Sequence, residues 1–103
     1  ADQRYLQAAS YAAKALAENR SDKKMHILLV RASDKMGAGN KRVSALYQQA
    51  LKAYPRSPEL LAYAAGFYRR TGYQNYARRL AGQFEQICRF NCPQYRNYIE
   101  DTR

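Results

Sequence analysis

Apolar residues along this chain recur at helical spacing. Tyr5, Ala8, Ala9, Ala12 and Leu16 fall on one face of a helix over 2–19, and the Ala content favours that state. Ser21-Asp22 offers a polar break with capping chemistry, after which Met25, Leu28, Leu29, Ala32 and Met36 form a second stripe that stops at Gly37. Beyond the linker Gly37-Ala38-Gly39-Asn40, Asn40 fits the N-cap of a third helix with the stripe Val43, Leu46, Tyr47, Ala50, Leu51 and Tyr54, closed by Pro55. Ser57-Pro58-Glu59 supplies an N-cap, a proline at the first helical position and an acid in the first turn, the strongest helix start in the chain. The fourth helix carries Leu60, Leu61, Ala64, Ala65 and Tyr68 and ends at Thr71-Gly72. A fifth follows with Tyr73, Tyr76, Ala77, Leu80, Ala81, Phe84, Ile87 and Cys88 on one face. Asn91-Cys92-Pro93 ends it and opens a short sixth helix bearing Tyr95, Tyr98 and Ile99. No alternating β-branched run competes, so the pattern predicts an all-α chain of about six helices.

The stripes also repeat. Ala8, Val43 and Ala77 align at spacings of 35 and 34, as do Ala12, Tyr47 and Ala81, then Ala15, Ala50 and Phe84. Gly37 matches Gly72, and Ser57-Pro58 matches Cys92-Pro93. A period near 34 residues is that of helix-turn-helix repeats.

In these residues the chain resembles the tetratricopeptide repeat (TPR) family. The 57–91 unit is the better copy. Leu61 stands where the family often has Trp, Ala64, Ala65 and Tyr68 look like its Leu-Gly-x-x-Tyr, and Ala77 and Phe84 resemble its Ala and its later small or aromatic position. Its closing Pro is missing there, whereas Pro55 supplies one for the repeat before. The 23–56 unit has Ser33 where Tyr68 sits and one extra residue in the Gly37–Asn40 turn. Residues 1–20 look like a lone second helix, and 92–103 like a C-terminal capping or truncated first helix. The half-a-TPR repeat of RNA-processing factors is a neighbouring resemblance, carried by Leu60 through Tyr63 and by Ala77-Arg78, but its Trp and acid are absent. The resemblance implies a single TPR-like α-solenoid of antiparallel helical hairpins over 1–103. A chain that opens on a second helix further reads as a segment of a longer repeat protein.

In TPR arrays the first helix of each hairpin lines a concave groove. Carried over, this places Lys24, Leu28, Arg31 and Lys35 of the second helix in the groove, and Glu59, Tyr63, Gly66 and Arg70 of the fourth; the sixth would add Gln94 and Tyr98. Cations interleaved with Leu28 and Tyr63 suit an extended partner segment carrying acids and a few apolar anchors. Gly66 would admit a close backbone. The alternative is that these cations are a solvated face. The family's chaperone-tail clamp uses asparagines at groove positions, and none of these residues is Asn.

Charge supports an acidic partner without choosing it. In 103 residues, 18 Lys and Arg against 8 Asp and Glu give a formal charge of +10. Protein or peptide acids, nucleic acid and anionic surfaces all answer such a field, and Lys14, Lys41, Lys52, Arg78 and Arg79 make the convex side basic too. No apolar run approaches the ~18 residues of a membrane span, so the chain reads as soluble.

Catalytic chemistry finds no foothold. The one histidine, His26, has no partner motif, and no HExxH, glycine-rich phosphate loop or GxSxG occurs. Neither a cofactor nor a metal is expected, since two cysteines and a remote histidine do not complete a tetrahedral set. Cys88 and Cys92 either form a disulfide, if the fifth helix unwinds near Phe90-Asn91, or remain two thiols, one of them beside Ile87. A bridge would imply an oxidising compartment. The ten tyrosines lie mostly on core stripes, among them Tyr5, Tyr47, Tyr54, Tyr68, Tyr73 and Tyr76, while Tyr63 lies off them. The leading expectation is thus a non-catalytic interaction scaffold in a periplasmic or cell-envelope assembly for pilus formation, secretion or polysaccharide export. A cytoplasmic location is the alternative. The second functional expectation is an RNA-binding helical repeat. The oligomeric state is open.

Overall fold

The computed structural model describes residues 3–19, 22–88 and 92–98, with the side chains of Gln94, Asn97 and Tyr98 excepted. Over these residues the chain is all-helical: α1 (Gln3–Glu18), α2 (Lys23–Lys35), α3 (Asn40–Ala53), α4 (Pro58–Arg70), α5 (Gln74–Ile87) and a 3-10 helix, η1 (Pro93–Tyr98). They form two compact units, Ala1–Ala53 and Tyr54–Arg103.

The internal repeat is written into the helix ends. The α2 and α4 helices are 13 residues each and start 35 residues apart, and α3 and α5 are 14 residues each. Each first helix is capped the same way. The Asp22 carboxylate accepts the Met25 N–H at 3.2 Å, and the Ser57 hydroxyl accepts the Leu60 N–H at 3.3 Å. Each also ends in a Schellman motif, in which Ala38 N–H reaches the Ser33 carbonyl at 3.1 Å and Tyr73 N–H reaches Tyr68 at 2.8 Å. Gly37 and Gly72 hold the left-handed position of that motif, at φ 74° and 94°, where a Cβ would be strained. The turns that lead into the two caps match as well, because Asp22 N–H bonds Asn19 and Ser57 N–H bonds Tyr54, both at 3.4 Å.

The extra residue of the first repeat sits in the turn before α3. There Val43 N–H bonds the carbonyl of Gly39, so Gly39, with φ 97°, is the cap and Asn40 is the first helical residue. The expected Asn40 N-cap is thereby corrected. The inserted residue needs a second left-handed backbone position, which glycine takes most readily.

In the first unit α2 packs against both α1 and α3. Its buried face is therefore wider than the Met25 to Met36 stripe and turned from it: His26, Val30, Ala32 and Ser33 are buried, while Met25, Leu28, Leu29 and Met36 are half-buried. The Ser33 hydroxyl is enclosed without a hydrogen-bond partner. An unsatisfied buried polar group costs stability, and Ala is the better helix former. Ser33→Ala is therefore expected to raise the stability of the first unit by about 1 kcal/mol, read as a higher urea midpoint with an unchanged slope. A lower midpoint would mean that the hydroxyl is satisfied in solution.

In the second unit α4 pairs with α5, and η1 packs on α4. Burial extends nearly all round α4, through Leu60, Leu61, Ala62, Ala64, Ala65, Phe67 and Tyr68. Small side chains at Ala64 and Ala65, both fully buried, suit close helix contact, and α5 buries Ala77, Leu80, Ala81 and Phe84. Tyr68 sits in an edge-on cluster with Phe67, Tyr73 and Tyr76, at 5.0, 5.9 and 4.7 Å between ring centroids. The equivalent position in the first repeat is Ser33, so no such cluster centres there.

Several expected core positions are corrected. Tyr73 is 60% exposed because it is the cap residue before α5, and Tyr5, in the first turn of α1, is 37% exposed. The fifth helix ends at Ile87, with Cys88 outside it as the cap. The sixth helix is of 3-10 type, and Ile99 lies outside the described residues.

Candidate partner-binding surface

The first candidate line lies on α2. Lys24 and Lys35 are exposed and Leu28 and Arg31 are half-buried, as befits a strip facing away from Val30 and Ser33. Spacings of four, three and four residues bring these four side chains onto one face over three turns. Lys35 stands in the last turn of α2, where the helix dipole favours a cation; Lys24, in the first turn, is opposed by it. Its position therefore costs rather than stabilises the helix. The Asp22 carboxylate at the N-cap offsets part of that cost.

The same four positions on α4 are Glu59, Tyr63, Gly66 and Arg70, each 35 residues further on. Only Arg70 is exposed, and its guanidinium lies over the Phe67 ring at 6.0 Å to the centroid. Glu59, Tyr63 and Gly66 are half-buried. Two of these are covered by η1. The Tyr95 hydroxyl donates to the Glu59 carboxylate at 3.2 Å, and the Tyr95 ring meets the Tyr63 ring edge-on at 6.0 Å. By spacing alone Tyr63 lies off the core stripe of α4. The structure gives that ring a neighbour from 32 residues further along the chain, which no local periodicity could reveal. The side chain of Tyr98, the remaining groove candidate, lies outside the described residues, as does that of Gln94.

The η1 helix is tied to α5 as well. Arg96 donates to Glu85 at 2.9 Å and to the Cys88 carbonyl at 2.7 Å, and its guanidinium lies over the Phe84 ring at 5.9 Å. Cys88 and Cys92 are joined by a disulfide, with Cα atoms 5.6 Å apart and both residues buried. Arg96 and Glu85 had no signal in the sequence, since their 11-residue separation spans two elements and the turn between them.

A second basic location is the start of α3, where Lys41 and Arg42, both exposed, border an open concavity of about 600 Å3. Lys14, Lys52, Arg78 and Arg79 are exposed too. His26 is buried within α2. Among the described residues no three His, Cys, Asp or Glu side chains are grouped to hold a metal ion, and no helix is long and apolar enough to cross a membrane.

Compared with models of known protein families and with curated proteins, the chain matches none.

Proposed function

We propose that this chain is a non-catalytic, TPR-like interaction scaffold that binds an extended acidic segment of a partner protein. The observation that carries the reading is the repeated first helix: α2 and α4 share length, cap and exit motif, and α2 turns Lys24, Leu28, Arg31 and Lys35 away from its buried face. Such a strip offers charge-assisted contacts to carboxylates around one apolar anchor. On α4, Tyr95 touches Glu59 and Tyr63, and of the four equivalent positions Arg70 is the exposed one. The TPR resemblance supplies the idea of a groove lined by first helices, in a solenoid. With the Cys88–Cys92 bridge it favours an oxidising site of action, in a periplasmic or cell-envelope assembly for pilus formation, secretion or export.

A second reading, RNA binding, draws on the +10 charge and on Tyr11 and Tyr73, exposed at 64% and 60%, as stacking faces. The two readings part in a titration of a short Asp/Glu-rich peptide and of a single-stranded RNA, each at low and near-physiological salt. The scaffold reading expects micromolar peptide binding that persists at the higher salt, with RNA affinity falling steeply as counterion release demands. Tight RNA binding that survives near-physiological salt, with no peptide binding, would overturn it.

A further inference from the structure

We propose that the Cys88–Cys92 disulfide is a redox latch that keeps η1 docked over Tyr63 and Glu59. The repeat frames the argument. Two turns that lead into a first helix, 19–22 and 54–57, are each closed by a backbone hydrogen bond and followed by a 13-residue helix. Ahead of η1, the positions corresponding to Tyr54 and Ser57 are Cys88 and Cys92, and the link between them is covalent. The helix that follows has six residues and is of 3-10 type. A helix that short has little stability of its own, so its place depends on what ties it down.

Among the described side chains of η1, Tyr95 and Arg96 tie it to its neighbours. Tyr95 hydrogen-bonds Glu59 and meets the Tyr63 ring on α4, and Arg96 reaches Glu85, the Cys88 carbonyl and Phe84 on the α5 side. The Arg96 bond is made to the carbonyl of Cys88 itself, so it depends on Cys88 staying close to Cys92 at the start of η1. Opening the disulfide lengthens the tether and removes that constraint. In the reduced form η1 leaves α4, and Tyr63 and Glu59 become accessible on the same strip as Arg70. A dithiol reductant drives the step: its two thiols give up two electrons and two protons and become a disulfide, while the Cys88–Cys92 bond breaks into two thiols.

Undocking itself stands apart from any partner. Its consequence for binding, exposure of the α4 strip, rests on the scaffold reading above. The test therefore uses the full chain with no partner present. Because the chain contains no Trp, Tyr95→Trp places a single indole on η1. Emission and acrylamide quenching are followed before and after a dithiol reductant, with thiol titration to confirm two thiols and far-ultraviolet circular dichroism to follow the helices. Hydrogen exchange of the amides of η1 after Pro93, residues 94–98, in the unsubstituted chain supplies a second readout that leaves the Tyr95 hydroxyl in place.

Reduction is expected to shift emission to the red, raise quenching, and speed exchange in 94–98 about tenfold, with helicity unchanged. In the Cys88→Ala, Cys92→Ala background the indole should look reduced from the start and ignore the reductant. Unchanged exchange in 94–98 after two thiols have been titrated would overturn the latch. So would loss of α4 and α5 helicity on reduction, since the bond would then be a staple for the whole unit.

Discussion

Phe84→Ala is expected to cost the second unit about 3–5 kcal/mol, the usual range for deleting a fully buried aromatic ring. Phe84 is fully buried on α5, and it supports η1 from below, since the Arg96 guanidinium lies over its ring. Its removal thus opens a cavity and takes away one face of a cation–π contact. A loss of that size is a large share of the 5–15 kcal/mol that typically holds a domain together. The result should be a large fall in the urea midpoint of the transition belonging to residues 54–103, followed by circular dichroism. Tyr11→Ala is the control. Tyr11 has a ring of similar size but is 64% exposed on α1, so its truncation should change stability by less than about 0.5 kcal/mol. Equal losses from the two variants would show that Phe84 is not enclosed as described.

Burial of Phe84 was legible in advance, and the reason shows what a sequence can and cannot reveal. Helix ends depend on local chemistry, so Ser57-Pro58, Asp22, Gly37 and Gly72 marked them to within a residue or two. A second helix that packs on one neighbour buries one stripe, and periodicity finds it: Val43, Tyr47, Ala50 and Leu51 on α3, and Ala77, Leu80, Ala81 and Phe84 on α5, are all buried. A first helix touched on more than one side breaks that rule. On α2 the added buried positions include His26 and Ser33, whose polarity hides them from a hydrophobic pattern, and on α4 Ala62 and Phe67 fall outside the expected stripe.

The candidate site was legible only where it depends on one helix. Lys24, Leu28, Arg31 and Lys35 share a face by spacing alone. Tyr63 and Glu59 instead owe their surroundings to Tyr95, a contact across 32 and 36 positions. The α5 helix also stops earlier than the pattern suggested, at Ile87, and leaves Cys88 outside it.

Reversing Lys24 and Lys35 together, as Lys24→Glu with Lys35→Glu, is expected to remove most of the affinity for an acidic peptide while leaving the fold intact. Both side chains are exposed, so neither supports the core. Their effects on the α2 dipole oppose one another, since Glu in the first turn is favourable and Glu in the last turn is not, each by about 0.3–1 kcal/mol. Arg31 is better left in place, because it is half-buried and already engaged within the protein. Exposed ion pairs are weak, about 0.2–1 kcal/mol apiece, but reversal replaces attraction with repulsion at two points of one strip. The combined loss should be about 2–3 kcal/mol, roughly 30- to 150-fold in Kd. Lys14→Glu with Lys52→Glu is the matched control: both residues are exposed, both lie in the first unit, and net charge falls by the same amount. Those two cations lie on α1 and α3, away from the α2 strip, so their reversal weakens only the long-range field, an effect that salt screens. Titrations of both double variants near physiological salt should therefore differ by at least about tenfold. If the two pairs weakened the peptide equally, attraction would follow net charge alone, and the α2 strip would have no claim to be the binding surface.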